Sequence, residues 1–197
     1  MDKKVSKIID DICTKGWAVF PEFFSSSFTR PLKEVLLNKH KTPASIGDAK
    51  VKNSEIRSDN IYWLSSQDNE SSILEFNQSI EDIKSQINQE LMLGLKYFES
   101  HFAEYPEGSF YKAHIDATKK DNSRVLTFIT YLNENWKSEN GGQLRIHNNN
   151  SFVDIEPHMG TVVCFRSENV LHEVLPAQKQ RCAITGWFHN SSTRNLI

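Results

Sequence analysis

The sequence predicts an α+β chain, mainly β, in which a jelly roll is supported by N-terminal helices. Two observations lead there. Apolar residues recur at three- and four-residue steps only in the first half of the 197-residue chain, and after Lys96 the pattern changes to short β-rich runs separated by turns. In order, Val5, Ile8, Ile9 and Ile12 share one helical face that ends near Gly16, and Trp17-Ala-Val-Phe20 reads as a strand closed by Pro21. Phe28 to Leu37 again reads as a helix. Lys41 to Asn60 contains Pro43, Gly47 and several Ser, Lys and Asn residues, so a long loop with at most a hairpin of its own is expected. From Ser72 to Leu95, the residues Ile73, Phe76, Ile80, Ile83, Ile87, Leu91 and Leu95 mark one long amphipathic helix whose stripe faces the core. Strands are expected at Thr127 to Leu132, Gln143 to His147, Ser151 to Ile155, Thr161 to Arg166 and Arg181 to Phe188. Two antiparallel sheets closing on each other leave a mouth where inward side chains converge. Alternation puts Thr127, Ile129 and Tyr131 on one face, and Arg181, Ala183, Thr185 and Trp187 on one face of the last strand.

One domain over residues 1–197 is expected, with 1–100 as helical support, a loop over 41–60 and 101–190 as the β core. A net charge of −2 offers no basic surplus for a nucleic-acid groove. Cys13, Cys164 and Cys182 are odd in number and lack metal-type spacing, which fits reduced thiols in a cytosol better than a disulfide framework. The segment Met1-Asp-Lys-Lys-Val-Ser-Lys7 lacks the apolar run of a signal peptide, and no stretch is long enough to span a bilayer. A soluble, cytoplasmic protein is therefore expected, monomeric by default, with no nucleic-acid or membrane partner.

The chemistry is carried by four residues. His114 and Asp116 stand two apart in Tyr111-Lys-Ala-His-Ile-Asp116, so on an extended strand both leave the same face, and His172 supplies a third ligand. Two imidazoles and a carboxylate on one face of an octahedral ion leave the opposite positions open, the arrangement of non-heme Fe(II) oxygenases. Arg181 adds a planar fork of donors matched to a carboxylate. A chain with seven His contains a His-x-Asp triplet by composition alone roughly one time in three. The weight therefore rests on the order of further features: Tyr131, the pair Gly141-Gly142 before Leu144-Arg-Ile146, the turn Pro157-His-Met-Gly160, and Arg181 shortly after His172. His40, His101, His147, His158 and His189 read as surface or satisfied polar residues. His101 is four residues before Tyr105 and would point the same way on one strand, so it can border the pocket without touching metal. Asp121 reads as a loop residue, and Cys164 and Cys182 as strand residues.

Taken together, Tyr105-Pro106, His114-x-Asp116, Tyr131-Leu-Asn133 with Trp136, Gly141-Gly-Gln-Leu-Arg-Ile146, Asp154-Ile-Glu-Pro157, His172-Glu-Val174 with Pro176-Ala177, and Arg181 ahead of Gly186-Trp-Phe188 form an ordered set. This stretch, a little under half the chain, resembles the catalytic core of the Fe(II)/2-oxoglutarate dioxygenases, specifically protein prolyl hydroxylases of the hypoxia-factor type and their bacterial relatives. Ile56-Arg-Ser-Asp-Asn-Ile-Tyr-Trp63 looks more loosely like the segment leading out of that family's substrate-covering loop. The resemblance implies a double-stranded β-helix core with Fe(II) held at a catalytic centre of His114, Asp116 and His172. It implies 2-oxoglutarate as cosubstrate, its distal carboxylate gripped by the Tyr131 hydroxyl and Arg181, with Tyr105 near the cosubstrate or metal and Thr127, Leu144, Val174 and Trp187 lining the pocket. Arg57, Asp59 and Trp63 fall to the substrate and loop side; Arg57 and Asp59 either brace the loop as a pair or are simply solvated charges. The implied reaction uses O2, with ascorbate as reductant, to hydroxylate a prolyl residue of an intracellular protein and release succinate and CO2; elongation factor Tu is one candidate target by analogy. The alternatives are the same chemistry on a free amino acid or other small metabolite, and a non-catalytic jelly-roll binding module. Nucleic-acid dealkylating relatives carry a second arginine where this chain has Trp187, which argues against that class.

Overall fold

The computed structural model describes residues 3–45, 54–117, 123–148 and 151–191. The centre of the expected covering loop, residues 46–53, and Asp121 lie outside the described residues. Helix α1 (Lys3–Lys15) buries Val5, Ile8, Ile9 and Ile12 and leads through Gly16 into strand β1 (Trp17–Phe20). Helix α2 (Ser26–Asn38) starts at Ser25, whose hydroxyl accepts the Phe28 N–H at 3.3 Å and so satisfies one of the first-turn donors. A short antiparallel pair follows, β2 (Thr42–Pro43) against β3 (Asn60–Trp63).

Helix α3 (Ser71–Leu91) is shorter than the apolar stripe suggests. Met92 turns left-handed at φ 49°, ending the helix before Leu95. The Asn88 side chain then brackets Leu95, donating to its carbonyl and accepting its N–H, each at 2.8 Å. Leu95 thus stays buried on the helical core without being helical.

The remaining strands are β4 (Tyr97–Tyr105), β5 (Tyr111–His114), β6 (Arg124–Tyr131), β7 (Leu144–Asn148), β8 (Ser151–Ile155), β9 (Val162–Arg166), β10 (His172–Val174) and β11 (Arg181–His189). They form two antiparallel sheets, a large one in the order β1-β9-β6-β11-β4-β3-β2 and a small one in the order β5-β10-β7-β8. Strands from both halves of the chain thus share the large sheet, since β1 pairs with β9 and β3 with β4. Alternation divides the large sheet between two cores. Phe102, Leu126, Phe128, Cys164, Ile184 and Phe188 pack against the helices. Ala103, Ile129, Tyr131, Val163, Phe165 and Ala183 face the small sheet's Leu144, Ile146, Ile155 and Val174. The fold is α+β and mainly β, with a jelly-roll core whose inner space lies between the sheets.

Of the strands that the sequence expectation does not set out, β10 and β4 bear most on the site. β10 spans three residues, too few for a periodic signal. β4 alternates, but its inward face carries Glu99 and His101, polar residues where a wall of apolar ones would mark a core strand.

Candidate metal centre

β5 and β10 pair with His114 directly opposite His172, so both imidazoles stand on the inner side of the small sheet. Their rings are 4.3 Å apart, and the ligand atoms of His114, Asp116 and His172 all lie within 4.8 Å of one another. Asp116 reaches this point differently from the expectation of one extended strand. β5 ends at His114, Asp116 lies in the bend beyond it, and Oδ1 comes 3.4 Å from His114 Nε2 while Oδ2 is 3.7 Å from His172 Nε2. The bend is stabilised from the opposite sheet, where Thr127 on β6 donates its hydroxyl to Asp116 Oδ2 at 2.7 Å. A threonine has one hydroxyl proton, so Ser167 is the donor in its 2.9 Å contact with Thr127. Thr127, expected to line the cosubstrate pocket, therefore spends its hydroxyl on the metal-facing carboxylate.

The protonation states suit a divalent cation. His114 Nδ1 lies 2.8 Å from the Lys112 carbonyl and His172 Nδ1 lies 3.0 Å from the Val170 carbonyl. A carbonyl only accepts, so each Nδ1 carries a proton and Nε2 is the ring atom that each histidine turns to the cluster. Burial pushes the His172 pKa down to about 4, outweighing the pull of Asp116, and the ring is neutral at pH 7. Burial pushes the Asp116 carboxyl the other way, but His172, His114 and the Thr127 hydroxyl more than offset it and hold the group well below the usual carboxylate range. Two imidazoles turning Nε2 inward and one carboxylate fit Fe(II), and among the described residues no further side chain joins the cluster.

Deeper between the sheets, Arg181 is 2% exposed. Its Nε donates to the Gly142 carbonyl at 2.8 Å, and among the described residues no carboxylate pairs with it. Its guanidinium lies 4.8 Å from the Tyr105 ring and 5.0 Å from the Tyr131 ring. Among the described residues the buried Tyr131 hydroxyl has no hydrogen-bond partner, and burial pushes its pKa up to about 12 against the pull of Arg181. A buried cation without an anion is costly. Beside an orphaned hydroxyl it makes a receptor for a ligand carboxylate, which fits 2-oxoglutarate. Glycine is required here: a Cβ on Gly142 would come 3.0 Å from Arg181 Cδ, at a φ of +65°. Leu144 and Val174, paired across the small sheet, complete the buried wall.

Arg57 and Asp59 form a two-pronged pair, Nε to Oδ1 at 2.8 Å and Nη2 to Oδ2 at 2.7 Å, with the Asp59 side chain fully buried. The pair stands on the site through a residue that sequence reasoning passed over. The Arg57 guanidinium lies 4.3 Å from the Tyr111 ring, which stacks on His114 at 3.6 Å. Strand parity puts residues 111 and 114 on opposite faces, and the irregular register between β5 and β10 is what brings their rings together.

Trp63 is half-exposed at the rim, 4.8 Å from His101 and 6.1 Å from Trp187. Of the other histidines, His40 is exposed, His147 and His158 contact Glu173 and Glu156, and none joins the metal cluster. His189 is buried, 3.1 Å from Glu99, which in turn accepts from Arg124.

Residues 100–189 match the family model of the 2OG-Fe(II) oxygenase superfamily. The chain is 32% identical over 201 residues to the hypoxia-inducible factor prolyl hydroxylase of Caenorhabditis elegans, covering 91% of this chain and 27% of that protein. A crystal structure of a Pseudomonas putida prolyl-4-hydroxylase aligns with a TM-score of 0.87 at 34% identity, covering 95% of this chain and all of the other. A Trichoplax adhaerens prolyl hydroxylase, in complex with a hypoxia inducible factor oxygen degradation domain peptide fragment, aligns with a TM-score of 0.86 at 27% identity over 94% of this chain and 89% of the other.

Proposed function

Because this chain belongs to the Fe(II)/2-oxoglutarate oxygenases of the prolyl hydroxylase type, we propose that it hydroxylates a prolyl residue within a polypeptide. The observation that carries the reading is that the two facing sheets bring together the His114, Asp116 and His172 cluster and a buried Arg181 that has no carboxylate partner among the described residues. When bound, Fe(II), 2-oxoglutarate and O2 supply the oxidising chemistry, in which the oxo acid loses CO2 to become succinate and one oxygen atom goes to the substrate carbon.

The chain's own part is binding and orientation. His114, Asp116 and His172 would hold the metal. Backbone carbonyls of Lys112 and Val170 hold both Nδ1 atoms and so turn both Nε2 atoms towards Asp116, whose carboxylate Thr127 orients. Arg181 and the Tyr131 hydroxyl receive the distal carboxylate of 2-oxoglutarate, while Tyr105, Leu144 and Val174 keep water from that ion pair. Trp187 walls the same cavity, and Arg57 with Asp59 braces the segment leading from the covering loop, with Trp63 at the substrate side. The peptide bound to the Trichoplax relative favours a polypeptide substrate over a free amino acid. Three free cysteines suit a reducing cytoplasm. The reading further takes the enzyme as a monomer that uses ascorbate as reductant, with a translation factor such as elongation factor Tu as the first target to test.

The test is mass spectrometry of lysate proteins incubated with the iron-loaded enzyme, 2-oxoglutarate and isotopically labelled O2, against an Asp116→Ala control. One labelled oxygen on a specific prolyl residue is expected. No labelled protein, with succinate production stimulated by a small-molecule extract, would overturn the polypeptide reading.

A further inference from the structure

Two buried polar atoms on the inward face of the large sheet lie outside the His114, Asp116 and His172 cluster and apart from Arg181. His101 is 3% exposed and Trp187 is 7% exposed, yet His101 Nδ1 and Trp187 Nε1 both lack a hydrogen-bond partner among the described residues. Trp187 pairs across β6 with Thr127, so it stands at the level of Asp116 and at the opposite end of β11 from Arg181. His101 is one step away, between Trp63 on β3 and Thr185 on β11. The groups follow one another in a column: the Arg124 guanidinium lies 3.7 Å from the Trp187 ring, Trp187 is 5.5 Å from His101 with the rings tilted, and His101 is 4.8 Å from Trp63 edge-on. Trp63 is 47% exposed, so the column runs from beside the metal cluster out to solvent.

The chemistry of the missing partners is restricted. An indole N–H only donates, so Trp187 needs an acceptor. Burial pushes the His101 pKa down to about 4, so this ring is neutral at pH 7 and carries one proton and one lone pair. The cation on the column, Arg124, is already engaged by Glu99 through Nε at 3.2 Å and Nη2 at 2.8 Å. A neutral group that accepts and donates along one segment therefore suits the column better than a free carboxylate. Peptide main chain is such a group, and a prolyl residue, having no N–H of its own, offers its carbonyl as polar handle.

Resting on the prolyl hydroxylase reading above, we propose that His101 and Trp187 are specificity-determining residues for the main chain of the bound polypeptide. The Trp187 N–H donates to a peptide carbonyl beside the target proline, His101 Nδ1 bonds a neighbouring peptide unit, and Trp63 carries the flanking residue. Both unmet groups are then satisfied only when substrate is seated over the metal.

The experiment takes the prolyl peptide that the wild-type enzyme labels with isotopic oxygen in lysate, resynthesised with blocked ends. Its KM and kcat are measured for wild type, His101→Leu, His101→Asn and Trp187→Phe, alongside 2-oxoglutarate affinity and melting temperature. His101→Leu is expected to raise peptide KM about three- to tenfold, the worth of one hydrogen bond, with 2-oxoglutarate affinity unchanged. Its melting temperature stays level or rises, because an unpartnered buried polar atom has become apolar. A purely structural histidine would instead lower it. His101→Asn keeps a polar atom at the δ position and recovers most of the affinity, and Trp187→Phe, which keeps a ring and loses the N–H, raises KM as His101→Leu does. Unchanged peptide KM in His101→Leu and Trp187→Phe overturns the inference and leaves the hydroxylase reading standing. A wild-type enzyme that labels no peptidyl proline overturns both.

Discussion

Thr127 on the large sheet donates its hydroxyl to Asp116 Oδ2 at 2.7 Å, and Asp116 belongs to the bend that follows the small sheet's β5. One hydrogen bond thus ties the two sheets together at the metal cluster. Replacing Thr127 with Val keeps the shape and removes that donor. Affinity for Fe(II), or for Mn(II) as a redox-stable probe, is expected to fall about tenfold or more, read by metal titration. An unchanged affinity would contradict an orienting role.

Asp116→Ala removes the single anion among the three ligands. Turnover of 2-oxoglutarate is expected to vanish and metal binding to collapse with it. Residual coupled hydroxylation in this variant would sink the assignment of the centre.

Arg181 and Tyr131 separate cosubstrate binding from metal binding. Arg181→Ala is expected to weaken 2-oxoglutarate binding about a hundredfold, and Tyr131→Phe about tenfold, as losses of a charged and of a charge-assisted contact. Metal affinity stays at the wild-type level in both. Calorimetric titration of 2-oxoglutarate into the metal-loaded protein decides the point.

Arg57→Ala leaves the Asp59 carboxylate buried without its partner. A loss of about 3 kcal/mol of folding stability is expected from such a broken buried pair, measured by urea unfolding. A loss under about 1 kcal/mol would class the pair with exposed surface bridges.

Acid should weaken the fold in two windows. Burial lowers the folded His101 pKa from 6.5 to about 4, so between those values the unfolded chain binds a proton that the folded chain refuses, and stability falls as pH drops through the window. Glu99, held down to about 2 by His189 and Arg124 against the upward push of burial, contributes stability above pH 4.5 that is lost as pH falls towards 2. Urea midpoints between pH 7 and 4 should decline less steeply in His101→Leu than in wild type. Parallel slopes would contradict the buried, neutral imidazole.

Much of the architecture was legible because it rests on local rules. Val5, Ile8, Ile9 and Ile12 announce α1 by spacing, and the parity of Arg181, Ala183 and Trp187 follows from strand geometry. The helix end at Leu91 was not, since the apolar stripe continues to Leu95 and the Asn88 bracket that replaces the helix depends on a side-chain conformation. Tyr111, Ser167 and Glu99 were missed for a common reason: each acts through a partner distant in sequence or through irregular pairing, which periodicity does not encode.

By itself the sequence determined the α+β class, the order of motifs and the inventory of His114, Asp116, His172, Arg181 and Tyr131. The class and the His114 and Asp116 pair follow from residue type and nearest-neighbour spacing, whereas His172, Arg181 and Tyr131 were picked out by the order of motifs and the family resemblance. Only the tertiary structure decided that Asp116 is steered by Thr127 from the opposite sheet, that Tyr111 links the Arg57 and Asp59 pair to His114, and that His101 and Trp187 stand buried with polar atoms unmet among the described residues. Those relationships depend on which strands pair, in which register, and how closely two sheets approach, and such long-range packing is settled by the whole chain at once.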